Sequence, residues 1–151
     1  MSVSLTSSPA EIVRAHIVLQ GSPIFTRPSL GLAWPLFVGH MPEDDKSGLP
    51  IEVGAIYDTI GVPDGRLMET GEHIFHEGFQ VKVRSRNYTA AHSRLKALTN
   101  FLQTIKNEAV ITTEGSFTIL NISQSTSIVS LGQGDVRRRT ELTANFLITL
   151  Q

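Results

Sequence analysis

Three side chains close together in this 151-residue chain, His73, His76 and Glu77, are of the types that hold divalent metals. On a strand, residues three apart point to opposite faces, and no helix-type zinc motif is present. A loop could still bring them together. A small ligand- or metal-binding domain using Asp58, His73, His76 and Glu77 therefore stays open; it predicts a concave pocket where those groups converge. Acid pairs such as Asp58 with Asp64 or Glu72 could serve acid–base chemistry only if they met, and they read as solvated loop carboxylates. His16 falls on the inner face of a predicted helix and His92 beside the apolar stripe of another. Both read as partly buried, hydrogen-bonded residues. Arg137, Arg138 and Arg139 could contact phosphates, but a strand would divide them between two faces. A charged rim or an inter-subunit salt bridge suits them better. There is no P-loop, no dinucleotide glycine fingerprint and no serine elbow. The chain reads as a non-enzyme with no cofactor.

The charges are few and unevenly placed. Only 18% of residues are charged, low for a soluble monomer. Either a Ser- and Thr-rich surface or burial against other subunits would account for it. Met41 to Glu77 holds nine acidic residues and two basic ones, Lys46 and Arg66; Gly78 to Lys106 holds six basic residues and no acidic one. These are solvated charges placed by chance, or two complementary faces suited to head-to-tail association of identical subunits. Nucleic-acid binding through Lys82, Arg84, Arg86 and the arginine triplet predicts steep salt dependence. A pI near 6.5 speaks against it, which leaves nucleic acid at most an incidental partner. No apolar run is long enough for a bilayer, and Met1 to Ala10 does not read as a secretory signal. The chain has no cysteine, which excludes disulfides and fits synthesis in a reducing cytosol.

These residues must be positioned by elements whose patterns are plain. Ser8, Pro9 and Glu11 form a helix start with a capping box, and Gly21 a stop, which predicts a helix over about Pro9 to Gln20. Ile12, Ala15, His16 and Leu19 share one face, with Val13 and Ile17 beside it. Trp34 to Val38 reads as a short strand and Ile51 to Ile60 as a second, with Val53, Ala55 and Tyr57 on one face. Turn residues over Gly61 to Gly71 predict an exposed loop. Phe79, Val81 and Val83 alternate with Gln80, Lys82 and Arg84, a strand with one apolar and one basic face. Tyr88, Ala91, Leu95, Leu98, Leu102 and Ile105 repeat at helical spacing, with Asn87 as N-cap and Asn107 as stop. Glu114-Gly115 separates two alternating runs, a hairpin signal. Gly132 and Gly134 mark a turn, after which Leu142, Ala144, Phe146, Ile148 and Leu150 alternate to the last residue. The expected fold is α+β: a mixed, mostly antiparallel sheet with two main helices packed on one face. A single domain over 1–151 is expected, with flexible loops near 41–50 and 61–76.

The order of these segments resembles the tail-terminator, or tail-completion, proteins of long-tailed bacteriophages, often labelled minor capsid proteins. The likeness is carried by Ser8 to Arg14, Trp34 to Pro42, Ile56 to Thr59 with Gly65 to Met68, and Gly78 to Arg84. The Tyr88 helix, Ile122-Ser123, Leu131-Gly132, the arginines and Glu141-Leu142 complete it. The resemblance implies a structural virion protein, assembled in the host cytoplasm. Such a protein forms a ring, typically a hexamer, on the head-proximal end of the tail tube. Its implied partners are further copies of itself, the tail tube protein and a head–tail connector protein. A head-completion or connector role is the neighbouring alternative. On this reading Asp58, Asp64, Arg66, Glu69 and Glu72, with Lys82, Arg84, Arg86, Arg137, Arg138 and Arg139, are candidate subunit or tube contacts.

Overall fold

A computed structural model describes residues 8–20, 25–26, 34–40, 52–66, 73–112, 115–133 and 140–151. The elements are α1 (Pro9–Gln20), β1 (Leu36–Val38), β2 (Val53–Arg66), β3 (His73–Ser85), α2 (Tyr88–Gln103), β4 (Lys106–Thr112), β5 (Gly115–Gln124), β6 (Val129–Gln133) and β7 (Thr140–Leu150).

Each helix begins where side chains replace the hydrogen bonds that its first turn lacks. At α1 the Glu11 N–H donates to Ser8 Oγ (3.3 Å) and the Ser8 N–H to Glu11 Oε2 (3.2 Å), a reciprocal capping box. Asp58 reaches across from β2 and accepts the Ala10 N–H at 2.8 Å, so a second carboxylate meets the positive end of this helix. At α2 the Asn87 side chain accepts the Ala90 N–H at 3.2 Å. The buried stripe of α2 is Ala91, Leu95, Leu98, Thr99 and Leu102. Tyr88 stands outside that stripe at 52% exposed. It precedes the first buried turn and stacks on His92 instead, 6.2 Å between centroids. The helix also stops earlier than sequence predicts. Thr104 is its C-cap, while Asn107 takes a left-handed φ of 51° within β4.

The strands form one sheet in the order β1-β2-β3-β7-β5-β4, with β6 also paired to β7. Among the described strands, only the β1–β2 pair is parallel. The sheet is therefore mixed but mostly antiparallel, and the fold is α+β. β7, last in sequence, lies in the middle. It pairs with β3 along one side, and with β5 and then β6 along the other. β5 and β6 are two parts of one line, broken at 125–128. There the Ser125 N–H donates to the Asn145 carbonyl (2.9 Å), and the Asn145 N–H to Thr126 Oγ1 (3.0 Å).

Both helices pack on the same face. Ile56, Phe79, Val81, Val83, Leu142, Ala144, Phe146, Ile148 and Leu150 form one cluster with the apolar residues of α1 and α2. At its centre the register partners Phe79 and Phe146 stack at 5.1 Å. Ile56, and not Val53 or Ala55, brings β2 into this cluster; the latter two are fully buried outside it. Gly54 is required by a close approach, because a Cβ there would stand 2.4 Å from Cε1 of Phe25.

The 61–76 segment departs from expectation. Residues 61–66 continue β2, and β3 already begins at His73, with Arg66 paired to His73. The glycines and Pro63 that resemble a loop are accommodated by two register shifts, at Thr59/Val62 and Pro63/Arg66. The expected loop at 41–50 and the 67–72 connection lie outside the described residues. β6 was absent from the predicted elements. It is short, and its Gly132, at φ 83°, has the signature of a turn.

Candidate functional site

The sequence-predicted contact residues fall into two environments, and the structure adds a third. The first is the sheet face turned away from the helices. Cross-strand registers bring Lys82 opposite Ala55 and Thr143, and Arg84 opposite Val53 and Glu141. Lys82 Nζ lies 5.7 Å from the centroid of the Tyr57 ring, a cation–π distance. Thr143 Oγ1 donates to the Val81 carbonyl at 3.2 Å. Arg84 is only 4% exposed, so the alternation that directs it away from the core does not make it a free surface charge. Burial pushes the Tyr57 phenol above its ordinary pKa; the nearby Glu141 carboxylate adds to this and Arg84 opposes it. Here Lys82 is engaged with the Tyr57 ring and Arg84 is buried within the subunit.

The second environment is the pair of sheet ends. Asp64 and Arg66 occupy the far part of β2, and Glu69 and Glu72 belong to the 67–72 connection outside the described residues. At the opposite end Ser85 pairs with Thr140, and Thr140 with Gln133. The exposed Arg86 follows this end of β3, and Arg137, Arg138 and Arg139 lie outside the described residues. The 13 residues of β3 separate these ends by roughly 40 Å, at about 3.3 Å per residue. Asp58 is exposed yet already committed to capping α1.

The histidines hold different register positions. His73 pairs with Arg66 on β2, whereas His76 pairs with Val62 on β2 and Thr149 on β7. The His76 Nδ1 lies 3.2 Å from Thr149 Oγ1. No group of three His, Asp or Glu side chains suited to a metal occurs among the described residues. His16 is buried against β4, its Nε2 2.8 Å from Glu108 Oε2 and its ring stacked on Phe101 at 5.9 Å. His92 is exposed, contrary to the expectation of partial burial, because it lies on the solvent side of α2.

The third environment was missed by sequence reasoning. The outward face of α2 carries Tyr88, His92 and Lys96 at spacings of four, all exposed, with Arg86 just before the helix. Beside it Arg94 lies over the Trp34 indole, 5.0 Å to the centroid. Trp34 has a left-handed φ of 59° and is braced edge-on by Phe25. Trp34, Ala90, Ser93, Arg94 and Ala97 line a groove of about 250 Å³. The signal was available: Gly78 to Asn107 contains no acid, and 88, 92 and 96 share a helical face. The apolar stripe of the same helix drew attention to its other side.

A family model described as "Bacteriophage tail terminator protein" matches residues 19–151. No curated protein matches the chain. Among solved structures, a chain from "Virion of native gene transfer agent (GTA) particle" is similar at a TM-score of 0.46 and 8% identity, over 76% of this chain and 77% of that one.

Proposed function

This chain belongs to the bacteriophage tail terminator family, a family of phage structural proteins, and from that premise we propose that it is a ring-forming cap of the tail tube. In this reading residues 1–151 act as one domain. Copies close into a ring, a hexamer by preference, on the head-proximal end of the tube. The ring halts tube polymerisation and presents the surface to which the head connector binds. The observation that carries the reading is the family match over residues 19–151.

The charge distribution supports it. A closed ring needs a heterologous interface, in which one patch meets a different patch on the neighbour. Asp64 and Arg66 belong to one end of the β2–β3 arm and Arg86 to the other, with Glu69, Glu72 and Arg137 to Arg139 as further proposed contacts. Lys82 and Arg84 contribute by shaping the sheet face between those ends. Asp58 contributes by anchoring α1.

Electron microscopy of a phage lacking this protein tests the reading. The expected outcome is abnormally long tails without heads. Normal virions would refute it. Complete tails of normal length beside empty or leaking heads would move the protein to head completion.

A further inference from the structure

Among the described residues the sheet ends on three strands, β1, β4 and β6. Each has one side on which alternate residues turn their N–H and C=O groups away from the sheet, where a further strand could pair. Two of these sides are already guarded. β1 is three residues long, and Thr26 lies along it. The Leu36 N–H donates to the Thr26 carbonyl and the Thr26 N–H to the Trp34 carbonyl, both at 3.0 Å. β4 carries the charges of Lys106 and Glu108, and α1 lies against it, with His16 Nε2 2.8 Å from Glu108 Oε2. A short strand, edge charges and a covering helix are ways in which proteins keep sheets from adding a strand.

β6 is guarded far less. No acidic or basic residue occurs from Gly115 to Gly134. Val129 and Leu131 are each 49% exposed, two of the three large aliphatic side chains left so open among the described residues. Ser130 and Gly132 are exposed as well. The one irregularity is a register shift at Ser130/Gly132, with Gly132 at φ 83°. A bulge leaves its extra residue unpaired, and here that residue is Leu131, which stands opposite no residue of β7. The shift therefore does not shield apolar surface. An uncharged edge strand with exposed apolar side chains is a template for pairing with another chain.

The fold also indicates what can pair there. With β1 and β4 guarded, the edge that a second copy offers in return is β6 again. An edge pairs with itself about a two-fold axis, and antiparallel strands meet that symmetry.

We propose that β6 is a self-association edge: the β6 strands of two copies pair antiparallel about a two-fold axis near Ser130 and join the two sheets into one. Val129 of each copy then stands opposite Leu131 of the other, an apolar cross-strand pair made twice. The contact closes at two copies and cannot propagate, so it is separate from the ring contact and belongs to the subunit before it reaches a tail. Five residues a side is small beside the roughly 800 Å² per partner of stable complexes. The dimer is therefore weak and dissociates on dilution. Because neither strand carries a charge, salt has little effect on it.

The test is sedimentation velocity of the full chain over a range of concentrations. Wild type should pass from monomer to dimer as concentration rises, at low and high salt alike. Val129→Lys/Leu131→Lys should dimerise at least tenfold more weakly, with unchanged circular dichroism, and so should Val129→Glu/Leu131→Glu. Mixing these two variants should restore a one-to-one dimer, because each Lys then faces a Glu. Leu147→Lys, on the exposed aliphatic residue outside β6, should dimerise like wild type. The chain has no cysteine, so single cysteines report the register. With a mild oxidant, Ser130→Cys should crosslink to its own copy in the partner, and Ser123→Cys on β5 should not. A wild-type chain that is monomeric at every concentration overturns the proposal. So does a dimer indifferent to the β6 charges, a mixture that forms no dimer, or equal crosslinking at 123 and 130. Lysine variants that self-associate normally but no longer bind purified tails would overturn it in favour of the tail as the partner of this edge. None of these outcomes bears on tail length in the deletion phage, so the capping function stands or falls by its own experiment.

Discussion

Two consecutive stretches of one basic segment end in opposite circumstances. On β3, Lys82 lies against the Tyr57 ring and Arg84 is buried opposite Glu141. On and just before α2, Arg86, His92 and Lys96 stand in solvent with no acid on their own element. A strand in the interior of a sheet has neighbours on both sides, so even its outward residues meet cross-strand partners. A helix laid on that sheet keeps a flank that meets no other strand or helix among the described residues. Like residue types therefore serve internal cohesion in one place and meet solvent in the other. What separates them is the number of flanking elements and not the residues themselves.

That contrast can be broken most severely from beneath the helix. Leu98 is fully buried, and Leu98→Asp should cost more than about 4 kcal/mol, by cavity formation and an unpaired buried charge, and abolish cooperative unfolding. Lys96→Ala, two residues away on the solvent side, should change stability by no more than about 0.5 kcal/mol in the same urea titration. Next comes the sheet pair itself. Arg84→Ala should cost about 2–4 kcal/mol because it opens a cavity and leaves Glu141 without its cross-strand partner, whereas Arg86→Ala should be nearly neutral. Equal effects of the two arginine variants would erase the distinction drawn between strand and helix. Asn87→Ala removes the cap at the junction of the two stretches and should cost about 1 kcal/mol, read as a lower Tm.

The smallest effect is a matter of pH. The folded protein holds the Tyr57 proton more tightly than the unfolded chain does, chiefly through burial. The stability this confers is fully present below the unfolded pKa of about 10 and is lost as pH rises through the folded value. Denaturation midpoints should therefore drift down above pH 10, and Tyr57→Phe should flatten the part of that drift owed to this phenol.

Much of the scaffold was legible because its signals are local. Ser8, Pro9 and Glu11 give α1 the bounds Pro9 to Gln20, which the structure has. The alternation of Phe79, Val81 and Val83, and that of Leu142 to Leu150, identified the strands that carry the core. Local signals also misled. Gly61, Pro63 and Gly65 have the chemistry of a turn, yet they lie in a long strand arm whose register shifts absorb them. Alternation told which face Arg84 occupies but not that the face is crowded there, since crowding comes from β2 and β7, distant in sequence. The outward stripe of α2 was hidden for a different reason. Polar residues on a helix carry no pattern of their own until the buried face is known.

The position of β7 bears on how the protein is made. This strand follows both of its neighbours in sequence, and it fills the slot between β3 on one side and β5 with β6 on the other. Until it arrives, a nascent chain holds two unfinished half-sheets with open edges, which are prone to pair with the wrong strand. Its contacts with β3 span more than fifty residues of sequence, so a large loop must close before they form, which slows folding.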